Sequence, residues 1–309
     1  PLANPSQGKI CLESLAHALA KKKPKSLKGD QNKLWFSPIY TQGKNKKTVH
    51  NEQSQDHSET LIAGLEHRDK SKEHIIGFLV GAGMGETESR ANKFNNTKHQ
   101  LLEGGLYGSF GVWKSLRCTV QGIYARTYSK NQRVANQQQG LLAHSNSEIE
   151  TYNFSMILAN KWKWNNFSLR ANYGVSIGQS IRGAYYEKDA GIFNLKFPRL
   201  AVHTLEHSMG LGARQTFHLK DFSVKVTGMI SYSYDAKDQT INDRVFVNSG
   251  PQGGVPIKID KPGRQAFSPS LNLSVKHKPS NFKIDVGYKA DLKENRTAQT
   301  FVLKLSTRF

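Results

Sequence analysis

Long hydrophobic runs are missing from this 309-residue chain. No stretch approaches the ~18 apolar residues of a transmembrane helix, so a helical membrane protein is excluded. Acidic residues are scarce, 24 against 44 lysines and arginines, leaving a formal charge of +20. Cysteine is almost absent. Cys11 and Cys118 stand far apart, and strand parity puts Cys118 on one face with Leu116 and Val120, so two free thiols are expected rather than a disulfide. Catalytic signatures are missing too: there is no GxSxG and no HExxH, and the eleven histidines and many serines form no set at a strand end. Gly81-Ala82-Gly83-Met84-Gly85 lacks the following helix and the lysine of a phosphate loop. No catalytic residue, metal ligand or cofactor site is therefore expected, and the chain is read as not an enzyme. No zinc finger, homeodomain or RNA-binding aromatic motif accompanies the positive charge, so nucleic acid is not expected as a partner. Pro1-Leu2-Ala3-Asn4 carries no initiator methionine, basic n-region or apolar h-region. An export signal is expected to have been removed or to lie upstream, and the chain is read as the carboxy-terminal piece of something longer.

What is present is alternation. At the carboxy-terminal end Phe301, Leu303, Leu305, Thr307 and Phe309 alternate with Val302, Lys304, Ser306 and Arg308. Side chains alternate faces along a strand, so one face is greasy and the other largely wet and basic. Phe282, Ile284, Val286, Tyr288, Ala290 and Leu292 alternate with Lys283, Asp285, Gly287, Lys289 and Asp291. The same period runs through 267–276, 222–234 and 167–177. Each run reaches about ten residues, where an ordinary globular strand has about five or six and a tilted membrane strand needs about nine to eleven. Length and strict period predict a transmembrane β-barrel.

Twelve strands are predicted, at 33–41, 58–67, 73–85, 97–110, 114–128, 148–162, 164–178, 198–217, 219–234, 264–278, 281–292 and 297–309. Long links alternate with short ones; only the last outer link, 293–296, is short. Bacterial barrels pair short periplasmic turns with long extracellular loops, so both barrel ends are expected in the periplasm. Aromatics gather at the short turns (Phe110, Trp113, Trp162, Trp164, Phe167, Phe217, Phe222), as an interfacial girdle would.

Ahead of the strands the period changes. Leu12, Leu15, Ala16 and Leu19 fall at helical spacing within residues 9–23, and Pro24 ends the run. At about 1.5 Å per residue this helix would span about 22 Å. The expected domains are a linker, 1–32, holding that helix, and a barrel, 33–309. Glycines suggest where the helix goes. Gly77, Gly81, Gly83 and Gly85 share one face of the third strand, and Gly210 and Gly212 one face of the eighth. Missing side chains on a lumen face would leave a groove the width of a helix.

A linker helix, a twelve-stranded barrel and a terminal aromatic, with glycine-aromatic strands such as Gly104-Gly105-Leu106-Tyr107-Gly108 and Leu211-Gly212-Ala213-Arg214, resemble the translocator domain of bacterial autotransporters. The resemblance implies an outer-membrane anchor that lets its own amino-terminal passenger reach the cell surface. It implies that helix residues Leu12, Glu13, Leu15 and Leu19 remain in the pore, and that Phe301, Leu303, Leu305 and Phe309 form the strand read by the barrel assembly machinery. Periplasmic chaperones, outer-membrane lipid and lipopolysaccharide are the other implied partners, and the protein is expected to be a monomer. Some members of the family cut themselves between two adjacent asparagines of the helix. Residues 9–23 hold no such pair, unlike 95–96 and 165–166, which argues against self-cleavage by that route. Parity places Arg117, Arg170, Arg214, Lys225, Lys276, Lys283, Lys289, Lys304 and Arg308 on the lumen face, in excess of Glu206, Asp285 and Asp291. They are expected to pair with Glu13 and with the helix ends. The alternative expectation is a twelve-stranded anion-selective pore, which uses the same basic lumen to draw small acidic solutes.

Overall fold

The computed structural model describes residues 31–308 except 49–52, 70–73, 91–93, 114, 137, 238–239, 248–253 and 261–262. The predicted helix at 9–23 and Phe309 lie outside the described residues. Twelve strands close into an antiparallel barrel. Its first seven members are β1 (Gln31–Asn45), β2 (Ser54–Arg68), β3 (His74–Ser89), β4 (Asn96–Gly111), β5 (Leu116–Asn136), β6 (Leu141–Trp164) and β7 (Phe167–Arg182). Two short strands follow in one connection, β8 (Tyr185–Tyr186) and β9 (Leu195–Phe197). The barrel resumes with β10 (Leu200–His218) and β11 (Phe222–Asp235). A second connection carries β12 (Thr240–Val247) and β13 (Val255–Asp260), after which β14 (Gln265–His277), β15 (Lys283–Lys293) and β16 (Arg296–Arg308) complete the wall. Neighbours in sequence are neighbours in the barrel, and β16 returns to pair with β1, Lys33 opposite Arg308 and Asn45 opposite Arg296.

The two faces differ as the alternation predicts. On β3, Ile76, Phe78, Val80 and Met84 are exposed, while Ile75, Gly77 and Leu79 are buried. Leu106 and Leu211 are about 70% exposed, an arrangement that is stable only against lipid. Trp162, Trp164, Phe167, Phe217 and Phe222 are exposed beside the short turns, and Tyr40, Tyr124, Tyr152 and Tyr232 are exposed nearer the long-loop end. Above them Arg126 and Glu148 form an outward-facing ion pair, which belongs outside hydrocarbon. Cys118 is free and buried; Cys11 lies outside the described residues.

Backbone chemistry explains the turns. Between β6 and β7 only Asn165-Asn166 intervene, and Asn165 takes a φ of 42°. Asparagine tolerates the left-handed region that a two-residue hairpin requires, so this asparagine pair is a turn. Asn281, at φ 53°, does the same between β14 and β15.

The strands differ from expectation at the long-loop end. β5 and β6 continue to Asn136 and start at Leu141, well past the expected 128 and 148, as a hairpin standing off the barrel. Beyond the rim β13, β12, β9 and β8 form a four-stranded sheet that joins two loops. Arg133, on the tall hairpin, grips Glu187 with Nε at 2.9 Å and Nη2 at 2.6 Å. Tyr185 and Phe197 stack at 4.5 Å, with the Arg182 guanidinium over both rings. These contacts are long-range in sequence, and strand propensity alone does not reveal them.

Candidate functional site in the barrel lumen

The lumen has an apolar wall. Trp35 and Ile39 of β1, Ile62 of β2, Leu79 of β3, Tyr107 of β4 and Ile123 of β5 pack as one cluster, with Val302 against it. Trp35 is 0% exposed and its Nε1 donates to the Tyr107 hydroxyl at 3.2 Å. The Lys304 ammonium sits 3.7 Å from the centroid of the same indole ring, a cation–π contact across β1 and β16.

The glycines make this packing possible. Gly77, Gly81 and Gly85 of β3 face Tyr107, Glu103 and His99 of β4. A Cβ at Gly77 would stand 2.4 Å from the Tyr107 ring, one at Gly81 2.6 Å from the Glu103 carboxylate, and one at Gly85 2.3 Å from the His99 imidazole. Gly83 is filled in the same way by Thr60, Gly210 by Asn172, and Gly212 by Met229 together with a backbone carbonyl. The glycines point inward, but side chains from neighbouring strands lie across them, so the expected helix-wide groove is filled from the side. Gly77→Val is therefore expected to push the Tyr107 ring off β3 and break its bond to Trp35. Overpacking of this kind costs about 1–3 kcal/mol, which should appear as a lower urea midpoint with an unchanged far-ultraviolet spectrum.

All nine basic residues picked out by parity occupy inward register positions. Most gather at the short-turn mouth. Arg68 lies within electrostatic reach of Arg308 and Arg117. Arg117 and Arg214 neighbour Arg170, and Arg214 and Lys276 neighbour Lys225. Lys276 reaches Arg308 again, so like charges on β2, β5, β7, β10, β11, β14 and β16 form a collar around the mouth. Lys33, Lys283 and Lys304 stand beside it. Among the described residues, Glu66 and Asp285 are the inward carboxylates at this level. Glu66 accepts from Lys33 at 3.0 Å, and Asp285 holds Lys283 and the Ser274 hydroxyl. Arg117 donates to Ser109 at 2.8 Å and Arg214 to Thr227 at 3.2 Å, both neutral partners.

Higher in the lumen the balance changes. Lys289 pairs with Asp291 at 2.9 Å, and Arg296 with Asp56 at 2.9 Å. Both oxygens of Glu103 and both nitrogens of His99 are buried without a hydrogen-bond partner. The sequence reading missed Trp35, Tyr107, Asp56, Glu66, Arg68, Glu103 and Arg296. Their only signal was inward parity on strands whose inner faces also carry apolar residues. Among the described residues no three of His, Cys, Asp and Glu converge as a metal site.

The comparisons fit this geometry. The model of the autotransporter β-domain family matches residues 34–289. The fold is similar to the translocator domain of the autotransporter NalP from Neisseria meningitidis, with TM-score 0.75 and 11% identity over 98% of this chain and 95% of that one. It is also similar to the β-domain of the Bordetella autotransporter BrkA, with TM-score 0.65 and 10% identity over 90% of this chain and 100% of that one. A weaker likeness is to the toluene transporter TodX of Pseudomonas putida, with TM-score 0.53 and 11% identity over 91% and 89%. No curated protein sequence matches the chain. With its family model spanning most of a closed twelve-stranded barrel, the chain belongs to the autotransporter β-domain family of bacterial outer-membrane proteins.

Proposed function

We propose that this barrel carries its own passenger, joined ahead of Pro1, across the outer membrane. In this reading the short turns and both barrel ends face the periplasm and the long loops face the outside. Residues 1–32 are the end of the passenger, and the helix at 9–23 stays in the lumen after transport. The observation that carries the reading is the place of the first strand. Lys33 pairs with Arg308 and Glu66 at the short-turn mouth, so a chain running into β1 arrives at the opening of the lumen. The work is insertion and passage, which asks for no reacting group.

Barrel assembly would read the outward face of β16, where Phe301 and Leu303 are exposed and Leu305 shares their parity. Periplasmic chaperones would deliver the unfolded chain, and lipid with lipopolysaccharide would surround a monomer. An epitope placed ahead of Pro1 behind an export signal tests the reading. It should become accessible to antibody on intact cells, and removal of 296–309 should abolish this. An epitope that stays periplasmic while the barrel is inserted would refute it. The cationic mouth favours a second reading, an anion-selective pore, which requires no passenger.

A further inference from the structure

We propose that the short-turn collar is a binding site for a multivalent phosphate-bearing anion. Each member of the collar has a like charge within electrostatic reach, and Arg170, Arg214, Lys225 and Lys276 stand on four successive strands of the wall. Along that run adjoining strands lie only about 4.8 Å apart, so the repulsion there is at close range and in a half-buried setting. Two of the guanidiniums also have donors to spare. The Nη1 of Arg68 and the Nε of Arg170 are buried with no hydrogen-bond partner, and Arg68 is 6% exposed. Buried donors of this kind are costly unless an acceptor meets them.

Among the described residues the acidic groups within reach of the collar are Glu66, Asp69 and Asp285, fewer than its cations. Glu66 is engaged by Lys33, and Asp285 by Lys283. The segment ahead of the barrel adds Lys9, Lys21, Lys22, Lys23, Lys25 and Lys28 against Glu13 and Asp30, so it brings more of the same sign. An anion from outside the chain would meet the two spare guanidinium donors and offset the like charges around them. Guanidinium forks match the oxygens of phosphate in pairs, and a ring of them suits an anion with several phosphates better than one with a single charge. A bound anion would also screen the collar from the lysine-rich segment. The inference concerns the mouth alone and holds whether or not a passenger is carried.

Calorimetric titration of the full chain in zwitterionic micelles with tripolyphosphate tests it. Binding is expected at low salt, weakening steeply as salt rises, and at least ten-fold weaker in the R68Q/R170Q double variant. The K98Q/K130Q variant removes two charges that face each other on the outside of β4 and β5, and it should change affinity less than two-fold. R68K/R170K keeps the charge but loses the fork, so it should fall between, and it carries the test should R68Q/R170Q fail to fold. Competition by phosphatidylglycerol in the micelles would name a lipid phosphate as the ligand, and absence of competition a free one. Equal loss in the inner and outer variants, no binding at all, or tighter binding of polyglutamate than of tripolyphosphate would overturn the proposal.

Discussion

Replacing Arg296 with alanine is expected to lower the unfolding free energy of the barrel by about 3–5 kcal/mol, the usual cost of stripping one partner from a buried ion pair. Arg296 begins β16 and Asp56 lies on β2, with β1 running between them. Their side chains meet at 2.9 Å, and each is 2% exposed. The bond passes over Gly43 of β1, where a Cβ would lie 2.6 Å from either Asp56 oxygen. Asn45 adds a weaker donor to the same carboxylate at 3.4 Å. The pair therefore ties the first and last strands to the second at the upper end of the closing seam. Without Arg296, Asp56 keeps a buried negative charge that has lost its guanidinium partner. Asp56→Ala should be comparably destabilising, because it strands the guanidinium. The D56A/R296A double variant should lose less than the two single losses added together, since neither charge is then left alone. Urea unfolding in detergent, followed by tryptophan fluorescence, reads all three. Additive losses would mean that the pair contributes nothing as a pair.

Which parts of the barrel were legible in the sequence depends on what each strand touches. A wall strand with lipid on one side and polar lumen on the other writes a clean period of two, and β7, β11, β14, β15 and β16 were readable on that ground. The first strand was hard to place because Trp35 and Ile39 point inward while Leu34, Phe36 and Tyr40 point outward, so apolar residues occupy both faces. The same apolar inner wall brings Ile62, Leu79 and Ile123 into the lumen, where parity alone leads one to expect polar groups. The loop sheet was invisible for another reason. β8 and β9 are two and three residues long; they pair with each other, and β9 pairs on its other side with Phe246 and Val247 of a distant loop. No local pattern encodes that encounter.

The lumen was half legible. Inward parity identifies the residues of the collar other than Arg68 one by one, but not that they gather around one mouth, because that depends on the register of every strand pair at once. The glycines show the limit most clearly. Their face is plain from the sequence, whereas their use is not, since Tyr107, Glu103 and His99 come from the next strand. Carboxylates such as Asp56 and Glu66 were lost among polar loop-flanking residues, although their burial is among the deepest of any charged group here.

Deleting residues 1–24 is expected to raise single-channel conductance in planar bilayers several-fold and to turn a flickering current into a steady one. β1 starts at the short-turn mouth, and only residues 24–30 separate it from the sequence at 9–23, so a helix there would reach the lumen from that side. Inside the lumen Leu12, Leu15 and Leu19 would leave water, and burial of each leucine is worth about 1.5–3 kcal/mol. Like-charge repulsion between the lysines at 21–23 and the collar works against that burial, which accounts for the expected flicker. Once the segment is gone, the collar lines the open mouth, and a salt gradient should give a reversal potential favouring anions. Tripolyphosphate added to the short-turn side should then block the open channel, linking the two tests. Large and equal conductance before and after deletion would leave the helix outside the lumen and make the anion pore the better reading of this barrel.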